Sequence, residues 1–80
     1  MNKENFDREY HEINDSVVLN FEIPEVLRNL MNDAEEADMA NDWGTYLNLA
    51  DAIDVWAKNY YADGQLSSKQ WNLICRRYPQ

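Results

Sequence analysis

The feature that most constrains this chain is a run of apolar residues spaced three or four positions apart between residues 46 and 60. Apolar side chains at this spacing form one continuous face of an α-helix. Asn41-Asp42 offers an N-cap before the run, and Asp63-Gly64 supplies a turn after it. We therefore predict a long helix over residues 42–62, whose apolar face comprises Tyr46, Leu49, Ala50, Ile53, Trp56, Ala57 and Tyr60.

A second apolar stripe precedes this helix. Pro24 suits the first turn of a helix, because its missing N–H would have no intrahelical partner there. We predict a helix over residues 24–40 that forms an antiparallel hairpin with residues 42–62. The stripe of the first helix comprises Leu27, Leu30, Met31, Ala34 and Ala37.

The C-terminal region contains the most specific local signal in the chain. Ser67 and Gln70 have the spacing of a capping box, and Pro79 should stop the helix that they open. We expect this third helix to cross the open face of the hairpin and to bury Trp71 against Trp56 and Leu30. The fold class is thus mainly α, a three-helix domain over residues 24–80, with these aromatic residues in its core: Trp43, Trp56, Tyr60 and Trp71.

Residues 1–23 form a separate N-terminal segment with a mixed pattern. Phe6, Tyr10 and Ile13 fit a short helix, whereas the residues from Val17 to Ile23 alternate between apolar and polar with the period of a strand. A lone strand leaves its backbone groups unpaired. The alternating stretch is therefore either an extended arm packed on the helices, which we favour, or a strand that pairs with another chain.

Charge is distributed unevenly along the 80 residues. The formal net charge is -8, and all fifteen acidic residues lie within residues 1–63, whereas the remaining residues carry Lys69, Arg76 and Arg77. This excess repels nucleic-acid phosphates and anionic lipids and attracts basic surfaces. With 45% hydrophobic residues, the chain is too apolar to be disordered. Short apolar runs, a polar N-terminus and a single cysteine lead us to expect a cytoplasmic protein without a membrane span.

The acidic residues in the second half of the first helix are the main candidate for a functional surface. Negative charge there opposes the helix dipole, so local stability does not explain it. We predict one acidic face for binding a partner, with Trp43 beside it as an aromatic anchor. The alternative is a solvated surface with no binding role. The carboxylates of the predicted face belong to Asp33, Glu35, Glu36, Asp38, Asp42, Asp51 and Asp54.

No constellation in the sequence points to catalysis, a cofactor or a metal. His11 is the only histidine, and Cys75 lies on the apolar face of the third helix. Gly44 and Gly64 are the only glycines in the sequence, which excludes a glycine-rich phosphate-binding loop. The acidic residues lack the loop of an EF-hand. We therefore expect a non-enzymatic interaction protein with no cofactor.

Two other functions stay open. Lys69, Asn72, Arg76 and Arg77 lie away from the apolar face of the third helix, in the outline of a helix-turn-helix reader of DNA. The negative charge of the whole chain opposes this reading, because phosphate contacts supply most of the affinity for DNA. A structural homo-oligomer needs no foreign partner, and the small size of the chain makes a homodimer a reasonable expectation.

The pattern of aromatic residues, turns and caps also resembles small acidic helical proteins of bacterial phages and mobile elements. The resemblance implies that the chain inhibits a host nuclease or regulator. Some proteins of this kind do so by mimicking DNA. It assigns no functional residue. The segments that carry it are Asp42-Trp43, Tyr46, Ala50, Trp56, Tyr60, Gly64-Gln65-Leu66-Ser67, Gln70-Trp71 and Arg76-Arg77-Tyr78.

Overall fold

The computed structural model describes residues 13–80, and within them it contains three α-helices and no strand. Helix α1 spans Glu25–Met39, α2 spans Trp43–Ala62 and α3 spans Ser68–Arg77. The predicted helical class and helix order are confirmed. Both hairpin helices begin one residue later than predicted, because Pro24 and Asp42 are N-caps rather than helical residues.

The bend between α1 and α2 is built by two residues. Asn41 adopts a φ of 57°, in the left-handed region that asparagine tolerates better than most residues. This lets the backbone N–H of Asp42 donate to the Ala37 carbonyl at 2.8 Å, a Schellman closure of α1. The Asp42 carboxylate in turn accepts a hydrogen bond from the Thr45 N–H at 3.3 Å. One residue therefore ends α1 and caps α2.

The turn between α2 and α3 uses the signals that the sequence predicted. Gly64 has a φ of 83°, and the N–H of Gln65 donates to the Tyr60 carbonyl at 2.9 Å. The capping box forms in both directions, from the Gln70 N–H to Ser67 Oγ at 3.0 Å and from the Ser67 N–H to Gln70 Oε1 at 2.9 Å. This cap fixes the direction in which α3 leaves the turn.

The core differs from the prediction at two of its four aromatic residues, because Trp43 and Trp56 are exposed, whereas Tyr60 and Trp71 are partly buried against the core. Trp43 and Trp56 are 40% and 41% exposed, and Trp71 stacks on Tyr61 with 4.9 Å between ring centroids instead of meeting Trp56 in the interior. The buried positions of α1 and α2 combine alanines with a few larger side chains, among them Leu27, Tyr46 and Ile53, so a dense core forms without the indole rings of Trp43 and Trp56. The fully buried residues of the core are Leu27, Ala34, Tyr46, Ala50, Ile53, Ala57 and Ile74.

The described residues before α1 run along the helices without regular structure. Ile13 and Val17 are buried, and the N–H of Asn14 donates to the Arg77 carbonyl at 2.9 Å. Leu19, Phe21 and Ile23 are partly buried against the helical core. The predicted short helix over Phe6 and Tyr10, and the position of His11, lie outside the described residues.

The C-terminal residues after α3 return to α2. The Tyr46 hydroxyl donates to the Pro79 carbonyl at 3.0 Å, and the Gln80 side-chain amide donates to the Ala50 carbonyl at 3.3 Å. In the part of the chain that the structure describes, no helix is both long enough and apolar enough to cross a bilayer.

Candidate functional site

Three of the predicted acidic residues converge at the bend between α1 and α2. Asp33, Glu36 and Asp42 line an open depression of about 420 Å³, and no lysine or arginine of the described residues lines it. We call these three carboxylates the bend patch. All three are exposed. The rest of the lining is largely small or apolar: Ala37, Ala40, Thr45 and Leu49.

Glu35 lies on the other side of α1 and is engaged within the molecule. Its carboxylate accepts a hydrogen bond from the Tyr78 hydroxyl at 2.7 Å and lies 3.5 Å from the Arg77 guanidinium. Burial, together with the hydrogen bond to Glu35, raises the pKa of the Tyr78 phenol to about 12. We call Glu35, Arg77 and Tyr78 the C-terminal junction.

Arg77 ties the N-terminal residues to this junction. Its guanidinium donates to the carbonyls of Val17 at 3.0 Å and Asn14 at 3.4 Å, and lies 3.7 Å from the Asp15 carboxylate. Burial alone lowers the pKa of Arg77, but its contacts with Tyr78 and Glu35 outweigh burial and raise that pKa. The Arg77 side chain therefore has a structural role, because it holds the N-terminal residues against the end of α3.

This role changes the set of side chains predicted to read DNA. With Arg77 turned inward, the exposed members on α3 are Lys69, Asn72 and Arg76. Fewer cations remain for phosphate contact than the sequence suggested, and each phosphate contact contributes to affinity. DNA reading by α3 stays a prediction, now on a smaller set of residues.

The other predicted acidic residues do not join the bend patch. Asp38 is 6% exposed and belongs to the interior side of α1. Asp51 follows Asp42 by nine residues, about half a turn around the axis of α2, so it faces the opposite side of that helix. Asp54 is half-buried and accepts a hydrogen bond from the Cys75 thiol at 3.2 Å. The single acidic face predicted from the sequence is therefore divided among several sides of the molecule.

Two large side chains accompany the bend patch at the same bend. Trp43, the predicted anchor, has its ring centroid 6.4 Å from that of Tyr46 and keeps part of its surface exposed. Met39 is 84% exposed in the last turn of α1. Met39 was not among the predicted site residues, although an apolar residue off the apolar stripe of α1 is a sequence signal for an exposed side chain.

The environment of Cys75 holds its side chain as a thiol. Burial and the neighbouring Asp54 carboxylate raise the pKa of Cys75 to about 11. A thiolate is the nucleophilic form of cysteine, and neutral pH leaves very little of it here. Among residues 13–80, no three side chains of His, Cys, Asp or Glu are grouped so that they could hold a metal ion.

The described residues thus define a class, a mainly α domain of three helices with carboxylates gathered at its first bend. No protein-family model, curated protein or solved structure matches the chain. The resemblance to helical proteins of phages and mobile elements stays a prediction from the sequence.

Proposed function

We propose that this protein is a non-enzymatic binding protein that uses the bend patch to bind a basic surface of a partner protein. The observation that supports the proposal most directly is the convergence of Asp33, Glu36 and Asp42 on one depression whose lining contains no lysine or arginine from residues 13–80. Lysine or arginine side chains of a partner can enter this depression and contact several carboxylates at once. Such charge complementarity accelerates association and selects partners.

Apolar contact around the patch supplies the rest of the interaction. Leu49 lies in the lining of the depression, and Met39 and Trp43 are exposed at the same bend. Large apolar and aromatic side chains surrounded by polar groups are typical centres of protein interfaces. The complementary partner surface therefore combines cations with apolar side chains.

We further propose that the partner's basic surface is a nucleic-acid-binding site. The protein is then an inhibitor that occupies the site in place of DNA, as its resemblance to phage proteins implies. The net charge of -8 supports this proposal, because it matches the sign of the nucleic acid that the partner binds. Competition by duplex DNA for the bound partner separates inhibition at a nucleic-acid site from binding elsewhere.

The test compares two variants of equal charge. Asp33→Asn with Glu36→Gln neutralises the bend patch but retains Asp42, because Asp42 caps α2. The matched control, Glu22→Gln with Glu25→Gln, removes the same charge from exposed residues around the start of α1. Immobilised proteins are exposed to lysate of the native cells at low and high salt, and quantitative mass spectrometry identifies the proteins retained.

We expect a partner that the wild type and the control retain at low salt, that high salt releases, and that the patch variant retains at least about tenfold less. Loss of two contacts of about 0.7 kcal/mol each corresponds to that factor. Equal retention by the patch variant and the control would show that general negative charge, rather than the bend patch, attracts the partner. Circular dichroism of all three proteins checks that the helices are intact.

A further inference from the structure

Helix α2 has a third side that α1 and α3 leave largely open. At its C-terminal end, Tyr61 stacks on Trp71 of α3 with 4.9 Å between ring centroids and remains 41% exposed. The buried residues of α2 point toward the other two helices, as the burial of Tyr46, Ala50, Ile53 and Ala57 shows. On the opposite side the side chains are exposed, including Val55 at 49%. We call this side the outer face, and its defining residues are Leu47, Asp51, Val55, Lys58 and Tyr61.

The charged residues of the outer face are available for a contact with another molecule. Within the part of the chain that the structure describes, no ion pair or side-chain hydrogen bond joins Asp51 or Lys58 to another residue. The nearby Asp54 is not part of this set, because it turns toward α3 and accepts the hydrogen bond of the Cys75 thiol. Asp51 and Lys58 are about 10 Å apart along the axis of α2, on one side of the helix.

The outer face is complementary to itself. Leu47 and Tyr61 lie at equal distances in sequence from residue 54. Asp51 and Lys58 lie almost symmetrically about the same residue, and Val55 is adjacent to it. A two-fold axis through the middle of an antiparallel pair of helices exchanges residues at equal distances from the axis. It therefore places acid opposite base and apolar residue opposite apolar residue.

We propose that a second copy of this chain docks on the outer face, with the two α2 helices antiparallel about a two-fold axis near Val55. Asp51 of each copy pairs with Lys58 of the other, so the contact contains two equivalent ion pairs. Leu47 of each copy packs on Tyr61 of the other, and the two Val55 side chains meet at the axis. The helices can approach closely, because Gly44 and Ala62 bring no bulk to the two ends of the contact.

Two single variants test this pairing together. Asp51→Lys places two lysines opposite each other at both ion-pair positions, and Lys58→Asp places two aspartates there. Each variant alone should dimerise at least about tenfold more weakly than the wild type, because both attractive pairs become repulsive. An equimolar mixture should recover dimerisation, since every aspartate then faces a lysine. Sedimentation equilibrium from micromolar to millimolar concentration gives the dissociation constants.

If net charge alone controlled dimerisation, the expected result would differ. Asp51→Lys lowers the negative charge of the chain, so weaker general repulsion would strengthen its dimer, whereas the proposed pairing weakens it. The control Glu22→Lys changes the charge equally but lies outside both the outer face and the bend patch, and it should dimerise no more weakly than the wild type. A wild type that stays monomeric at millimolar concentration, or an Asp51→Lys variant that dimerises as well as the wild type, would overturn the proposal. Neither result bears on the bend patch.

Discussion

Two neighbouring carboxylates of α1 lie on different sides of the helix and have different surroundings. Glu35 is held at the C-terminal junction by the Tyr78 hydroxyl and the Arg77 guanidinium, whereas Glu36, the next residue, is exposed in the bend patch. One residue of a helix corresponds to a rotation of about 100° around its axis. That rotation is enough to move a carboxylate from an internal contact to a surface depression that, in the described part of the chain, no lysine or arginine lines.

The comparison shows that the same charge serves two purposes in this chain. At the C-terminal junction, negative charge satisfies a cation and a hydroxyl that join three parts of the chain, namely the residues before α1, α1 itself and the end of α3. At the bend patch, Glu36 lies in the last turn of α1, where negative charge opposes the helix dipole, and of the three carboxylates only that of Asp42 has a structural contact within residues 13–80, as the N-cap of α2. Stability should therefore depend on the junction, and binding on the patch.

The largest expected effect separates the two regions by stability. Tyr78 is buried and its ring fills space between α1 and α3, so Tyr78→Ala should lower the free energy of unfolding by about 3–5 kcal/mol. Met39→Ala at the exposed bend should change it by less than about 0.5 kcal/mol. Urea denaturation followed by circular dichroism measures both. Similar losses for the two variants would remove the distinction between a structural junction and a binding patch.

A smaller effect distinguishes two adjacent arginines in the last turn of α3. Arg77→Met removes donors to the Val17 and Asn14 carbonyls and leaves Glu35 without its cation, so it should lower stability by about 1–3 kcal/mol. Arg76→Met changes the same charge at an exposed position, and should alter stability by less than about 0.5 kcal/mol.

The same two variants sharpen the question of DNA reading. If α3 contacts DNA, Arg76→Met should weaken binding in a mobility-shift assay at low salt while leaving stability unchanged. Equal destabilisation by the two arginine variants would mean that the contacts of Arg77 contribute little to folding.

The helices could be predicted because their signals are local. The Ser67 capping box, the Asp63-Gly64 turn and the apolar stripes each act within a few residues, and all reappear in the structure. The burial of individual aromatic residues could not be predicted in the same way. A helical stripe wider than the contact between two helices does not show which of its members lie at the centre. Here Tyr46, Ala50 and Ile53 are buried, whereas Trp56 is exposed.

The acidic face was only partly predictable for a related reason. Spacing along one helix indicates which carboxylates share a side, but it does not indicate which side another segment covers. Glu35 contacts residues more than forty positions away in sequence. Asp54 of α2 accepts a hydrogen bond from Cys75 of α3. Asp33, Glu36 and Asp42 come together because the bend at Asn41 folds α2 back beside α1. That juxtaposition depends on tertiary structure.

The smallest predicted effect probes the hydrogen bond at the centre of the junction. Tyr78→Phe retains the ring but removes the donor to Glu35, so it should lower stability at neutral pH by about 1 kcal/mol. The folded state raises the pKa of Tyr78 from 10.0 to about 12. The unfolded chain therefore loses this proton first as the pH rises. The stability that the protonated Tyr78 hydroxyl contributes is complete below pH 10 and disappears as the pH rises toward about 12.

The difference in unfolding free energy between the wild type and Tyr78→Phe should therefore shrink over this alkaline range, and denaturation at a series of pH values measures it. The tyrosinate absorbance of the folded wild type should also contain one late transition that Tyr78→Phe lacks. A difference in unfolding free energy that stays constant up to pH 12 would show that the hydrogen bond to Glu35 does not keep the Tyr78 phenol protonated. The junction would then depend on Arg77 and on packing, and its contrast with the bend patch would rest on burial rather than on hydrogen bonding.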